Sequence, residues 1–255
     1  MQVFFQMLTL NLKRRMREGF ALGYNIIFPI IFILVLGAIT RGMFGNEISS
    51  FQYYSVVMPL FCLCLGIVTI AYAGKDDAYQ NTAYRIMAAP VQPKIIVAAK
   101  IVSGTIVLVS CSMIVSVGAI FFCHIPLTGD FIFVILLIMT LSLLISAVGT
   151  LIGLSMKNFM IIKNIISFPI CIFGIVGGAF FRFGTSDAIL QFLINCSPLT
   201  WINRACFLAL FDHNTELIKE IIVGVLILCV VVTAFSVKCF KKEEYIYGNL
   251  PGYEK

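Results

Sequence analysis

Charge is what this chain has least of. Only 12% of its 255 residues are Asp, Glu, Lys or Arg, against 60% apolar, and the mean hydropathy is +1.03. A water-soluble domain carries about 25% charged residues to clothe its surface. That excludes an ordinary soluble fold and makes lipid the solvent that the apolar excess requires. Histidine is nearly missing as well: His124 and His213 are the only two. Both lie outside the span cores and neither is assigned to metal or acid–base work. A nucleotide-binding loop is also lacking. Gly74-Lys75 ends like one, but Thr69 stands where its first glycine belongs and Asp76 where Ser or Thr should reach magnesium. No catalytic residue, metal ligand or cofactor is therefore assigned to this chain.

Cysteine is present but not as a scaffold. The nine are an odd number, and most fall inside apolar runs (Cys62, Cys64, Cys111, Cys171, Cys229), where Cys behaves as a small hydrophobe. Cys62 and Cys64 are too close together and too deep for a zinc ligand set. Cys196 and Cys206 share one loop, and their spacing leaves pairing open.

What the chain does have is six uncharged runs, at 19–40, 48–74, 101–129, 131–156, 164–181 and 221–237. A helix needs about 20 residues to cross the hydrocarbon, with 17–25 tolerated. Only helices satisfy their own backbone there. The expected fold is thus all-α, a polytopic membrane protein with six transmembrane helices. None of the six runs contains Asp, Glu, Lys or Arg. Proton-coupled transport usually needs such groups at membrane depth, so that class is disfavoured. A sodium site built from carbonyls and hydroxyls stays open.

The cations fall between the runs, and they alternate. The N-terminal segment, the second and fourth loops and the C-terminal tail together hold fourteen Lys and Arg, while the other loops hold four. The positive-inside rule puts the fourteen in the cytoplasm, and both termini with them. The net charge of +6 is therefore read as a topology signal, not as a nucleic-acid surface. Residues 1–18 read as an amphipathic interfacial helix whose cations lie on lipid head groups. The six-span domain is 19–238, with an external loop at 182–220 and a cytosolic tail at 239–255. Short apolar stretches at 188–194 and 205–211, with Pro198 and Trp201 between them, suit interfacial or re-entrant helices before the last span. Residues 245–255 read as a loose tail.

The loop 75–94 joins the second and third spans on the inner side. Asp76 and Asp77 suit the first turn of a short helix over 78–89, which Pro90 and Pro93 end. The N-terminal amphipathic helix, the six spans and this loop together resemble the ABC-2 type permeases, the membrane subunits of ATP-binding-cassette exporters. The residues that carry the likeness are Asp77, Asn81, Thr82, Arg85, Pro90, Val91 and Lys100. Asp and Asn stand here where that family usually has Glu and Gly. A second likeness is Ser197-Pro198-Leu199-Thr200-Trp201 before the last span.

The resemblance implies a second permease copy, in a homo- or heterodimer, and a cytosolic ATPase subunit that binds ATP and magnesium. It implies a coupling site at Asp76, Asp77, Asn81, Thr82, Arg85, Pro90 and Lys94. It also implies a dimer seam or translocation route near Pro169, Gly174, Gly177 and Gly178, in the cell membrane. Small residues in the fourth run, Ser142, Ser146, Gly149 and Gly153, recur at helical spacing and favour close helix approach, within one chain or between two. The expected activity is export of a hydrophobic or amphipathic cargo such as a drug, an antimicrobial peptide or a lipid-like molecule. The competing expectation is a secondary transporter or channel that works without an ATPase, for example in sodium export.

Overall fold

The computed structural model describes residues 2–42, 44, 48–80, 82–89, 91–123, 130–156, 159–180, 188–242 and 245. Its elements are the helices α1 (Gln2–Arg17), α2 (Gly19–Ile39), α3 (Ser50–Leu65), α4 (Ile67–Tyr79), α5 (Ala83–Ala88), α6 (Pro93–Cys123), α7 (Phe131–Ser155), α8 (Phe159–Val176), α9 (Ala188–Cys196), α10 (Pro198–Phe211) and α11 (Glu216–Lys238). Among the described residues there is no strand.

Among the described residues, five helices are long and apolar enough to cross a membrane: Gly19–Ile39, Ser50–Ala78, Pro93–Cys123, Phe131–Ser155 and Glu216–Lys238. The limits of Gly19–Ile39 and Phe131–Ser155 follow their charge-free runs, whereas the other three helices extend past theirs and take in Lys75, Asp76 and Asp77, Lys94 and Lys100, and Glu216, Lys219 and Glu220. The run at 164–181 differs, since its apolar helix covers only Asn164–Val176. That is shorter than the other five, and the expected count of six drops to five by this measure.

The second span, α3 with α4, is the post around which the rest is built. Its apolar window is 83% buried inside the protein, against 22% for α2 and 17% for α11. α2 and α11 therefore turn most of their apolar surface outward, as lipid-facing helices do. α3 starts at a capping box: the Ser49 hydroxyl accepts from the Gln52 amide, and the Gln52 side chain accepts from the Ser49 amide. Gly66 divides α3 from α4. A Cβ there would come within 2.8 Å of the Leu63 carbonyl oxygen and 2.9 Å of Leu108 Cδ2, so glycine is needed for α6 to approach. Asn25 of α2 braces the same point, donating to the Ala21 carbonyl and to Thr69 Oγ1, while Thr69 donates to the Gly66 carbonyl.

The small-residue stripe of α7 finds its partner inside this chain. Gly149 lies against Ile70 and the Ile67 carbonyl, and Gly153 lies against the Ala71 carbonyl and Gly74. Ser146 reaches the third span, donating to the Ile101 carbonyl at 2.7 Å.

In the segment before the last span, the break between α9 and α10 falls at Ser197, and Pro198 opens the second helix. It occupies the first turn of a continuous α10, where its missing N–H costs nothing. Cys206 is buried on that helix and Cys196 is exposed, and both are free thiols.

Candidate functional site

At the end of the second span, α4 carries three ionisable residues in succession, Lys75, Asp76 and Asp77. Asp77 is 1% exposed, and a carboxylate taken out of water must be paired or it will not stay ionised. Three elements supply the partners. Arg14 of α1 donates through Nη1 to Asp77 Oδ1 at 2.6 Å. Lys100 of α6 meets Oδ2 at 2.7 Å, and Tyr245 donates its phenol to the same oxygen at 2.9 Å. Lys100 also donates to the Ala73 carbonyl at 3.0 Å, which ties α6 to α4. Thr82 completes the cluster. Its hydroxyl accepts from Arg14 Nη2, and its amide donates to the Asp77 carbonyl.

A second set of charges lies beside the first. Arg15 is buried on α1 and donates through Nη2 to the Lys100 carbonyl at 3.4 Å. Burial lowers its pKa to about 10, against the opposing pull of Asp76, Glu18 and Asp77, so it stays protonated at neutral pH. Burial raises the Glu18 carboxyl above its usual range, and neighbouring Asp76 pushes it the same way. Arg14, Arg15 and Lys100 thus face Asp76, Asp77 and Glu18 at the point where three spans and α1 converge.

The aspartates are not where sequence periodicity puts them. They close α4 instead of opening a helix over 78–89, and the separate helix that follows, α5, covers only Ala83–Ala88. Carboxylates at a helix C-terminus oppose the macrodipole. Arg14 and Lys100 outweigh that cost at contact distance.

α5 rests its Ala83, Ile86 and Met87 on an apolar cluster with Met7, Ile96, Val97 and Leu154, and leaves Tyr84 and Arg85 exposed. Lys94 is exposed on the first turn of α6. Of the expected coupling residues, then, the structure joins Asp77 and Thr82 in one network, leaves Asp76 half-buried beside it, and turns Arg85 and Lys94 to solvent. Asn81 and Pro90 lie outside the described residues.

The glycines near the end of α8 pack within this chain. A Cβ on Gly174 would run into the Phe61 ring, and one on Gly177 would come within 3.3 Å of Ser197 Oγ. Gly178 adopts φ 79°, the left-handed region open to glycine. Tyr53 donates to the Gly178 carbonyl and Asn203 to that of Gly177. Pro169 sits on the outward side of α8, next to exposed Phe168.

Sequence reasoning read Arg14 as a topology and head-group charge and Lys100 as a topology charge that also belongs to the family-like motif, paired neither with Asp77, and put Tyr245 in the loose tail. Tyr245 is instead 1% exposed and packs its ring 5.5 Å from that of Phe240. Burial pushes its pKa up, with the charge of Asp77 and the hydrogen bond adding to the shift, so the phenol remains a donor. Tyr245→Phe removes one hydrogen bond to a buried charge, and the expected loss is about 1.5–3 kcal/mol, read as a lower unfolding midpoint of the purified chain. An unchanged midpoint would show that the tail does not hold Asp77.

Among the described residues no group of His, Cys, Asp and Glu is placed to hold a metal ion. The site is a buried charged joint next to a short helix that leaves Tyr84 and Arg85 exposed. No curated protein matches the chain. The family described as ABC-2 type transporter matches it over residues 2–211, which takes in the joint apart from Tyr245, α5 and every helix through α10, and the chain accordingly belongs to that family of transporter membrane domains.

Proposed function

We propose that this permease exports a hydrophobic or amphipathic cargo, working as a pair of six-span subunits, each docked to a separate cytosolic ATPase. The observation that carries the reading is α5. It presents Tyr84 and Arg85 to solvent, and it is joined through Thr82 to Asp77, at the end of the most buried span. Force applied to α5 has a short path into the core of the bundle, through a charged joint instead of a flexible loop. Arg85 offers a planar fork of donors to carboxylates or carbonyls of the ATPase.

In this reading α8 is the sixth span. Its 18 residues reach roughly 27 Å at 1.5 Å per residue, against about 30 Å of hydrocarbon. Its outward face, with Ile161, Ile165, Phe168 and Ile172, takes the second copy, while Gly174 and Gly177 hold α8 to its own subunit. α1 and the α9–α10 pair are interfacial. The fourteen-to-four split of Lys and Arg puts the termini and the loop 75–94 in the cytosol of a multi-pass cell-membrane protein. The spans expose apolar surface and the runs carry no charge, which suits a cargo of low polarity.

The test is co-expression with a candidate ATP-binding subunit, followed by co-purification and ATPase assay in proteoliposomes. Arg85→Ala is expected to weaken the complex roughly ten-fold or more, as truncation of an interfacial Arg anchor does, and to leave the fold intact because the side chain is exposed. Flux driven by an ion gradient without ATP, unchanged in the Arg85 variant, would replace this reading with a stand-alone secondary transporter.

A further inference from the structure

One stripe of α1 is left over from the joint. Leu10, Lys13, Arg14 and Arg17 recur at helical spacing and, with Glu18 and Gln80 of the α4 end, line an open cleft of about 540 Å³. That volume lies within the range of small-ligand sites. Lys13 and Arg17 are exposed and pair with no other described side chain. Arg14 is fixed in place by Asp77 and Thr82. The cleft therefore has two free cations and one anchored one beside an exposed apolar side chain, Leu10. Glu18 is the acid on its rim, and burial holds that carboxyl toward its neutral form.

The position of the cleft says what would occupy it. Glu18 immediately precedes α2, the first span, and Gln80 lies two residues past the end of the second candidate span at Ala78. Both walls thus stand at the boundary of the hydrocarbon. Phe5 and Met16 on another side of α1, and Phe20 at the start of α2, are exposed, as expected of residues set among acyl chains. A cationic cleft at that depth meets the head-group layer, where the abundant anion is phosphate. Arg takes phosphate with two parallel donors and Lys takes it as a point charge, while Leu10 would lie under the glycerol.

We infer that the Leu10–Lys13–Arg14–Arg17 cleft binds the phosphate of an anionic lipid head group, in the leaflet on the α5 side of the membrane. The site requires neither the ATPase nor a cargo, so it is testable on the permease alone.

The experiment is native mass spectrometry of the full chain, extracted from vesicles of phosphatidylcholine with and without phosphatidylglycerol, with inorganic phosphate as a competitor. The parent protein is expected to retain phosphatidylglycerol in preference to phosphatidylcholine. Lys13→Gln with Arg17→Gln is expected to weaken that retention about five-fold for each cation removed. Lys241→Gln with Lys242→Gln, two exposed cations outside the cleft, is expected to leave it unchanged. All three proteins should unfold at the same temperature in phosphatidylcholine alone. Equal losses in both double variants would reduce the effect to general surface charge and overturn the site. Lipid retention unaffected by the cleft variant would overturn it too. Binding of inorganic phosphate with no discrimination between the two lipids would assign the cleft to a soluble anion instead.

Discussion

Replacing Asp77 with Ala is expected to cost about 3–5 kcal/mol of stability, the usual result of removing one partner from a buried ion pair. The reason is what stays behind. Lys100 is 1% exposed, and after the change its ammonium would keep only the Ala73 carbonyl among the partners described above. Arg14 would lose its 2.6 Å contact with the carboxylate as well. Lys100 cannot turn to water without opening the contact of α6 with α4, whereas Arg14 is part-exposed at the edge of the cleft. The measurement is thermal or denaturant unfolding of the purified chain in detergent. The diagnostic is the double variant Asp77→Ala, Lys100→Met. Removing both charges leaves only the part-exposed Arg14 without its carboxylate, so the double variant should recover part of the stability lost by the single change. The double variant should still stimulate the ATPase poorly, because the carboxylate that links the end of α4 to Arg14, and through Arg14 to the Thr82 hydroxyl, is gone, leaving only the Thr82 amide on the backbone carbonyl of position 77. If Asp77→Ala is as stable as the parent, the joint is not a structural element and the mechanical reading of α5 loses its support.

Much of this was legible in the sequence, for an identifiable reason. The energetic cost of charge in hydrocarbon is carried by each residue itself, so the apolar runs locate the cores of five helices, with close limits for Gly19–Ile39 and Phe131–Ser155 and an earlier start for Pro93–Cys123, which carries Lys94 and Lys100. The joint was only half legible. Asp77 and Thr82 stand out in a short motif, yet the rule that carboxylates favour helix N-termini put them in the wrong turn. A local dipole effect of about 0.3–1 kcal/mol cannot compete with two cations delivered at contact distance by distant segments. Arg14 counts as a topology and head-group charge and Lys100 as a topology charge and part of the motif, and nothing in their own neighbourhoods marks either as a partner of Asp77. Tyr245 is separated from Asp77 by 168 positions and sits in a polar tail, so no periodicity could find it. The break at Gly66 is hidden for the same reason: its cause is the approach of Leu108 and Asn25, inside a run that reads as one helix.

Gly153→Leu is expected to prevent α4 and α7 from closing. A Cβ at position 153 would come within 2.6 Å of the Ala71 carbonyl oxygen and 2.8 Å of Gly74 Cα. Both atoms are backbone, so no rotamer change relieves the clash and a helix has to move. Gly74 meets the same limit from the other side, its own Cβ coming within 2.7 Å of Gly153 Cα. Overpacking a core typically costs about 1–3 kcal/mol and more where backbone must shift, and Leu adds three carbons beyond the Cβ. The expected outcome is low yield of folded protein, with Gly153→Ala already measurably destabilised. Gly118 of α6 is the control, because a Cβ there meets nothing within 4 Å. Gly118→Ala should be neutral or stabilising by about 0.4–1 kcal/mol. The contrast separates close approach of helices from the ordinary helix propensity of glycine, which is similar at both sites. The effect should also reach function. α4 carries Asp77 at its end, so a small outward shift of α4 at Gly74 moves the carboxylate relative to Arg14 and Lys100. A milder variant that still folds, Gly153→Ala, should therefore lose ATPase stimulation out of proportion to its loss of stability. If the two fall together, the α4–α7 seam serves packing alone and the joint tolerates displacement.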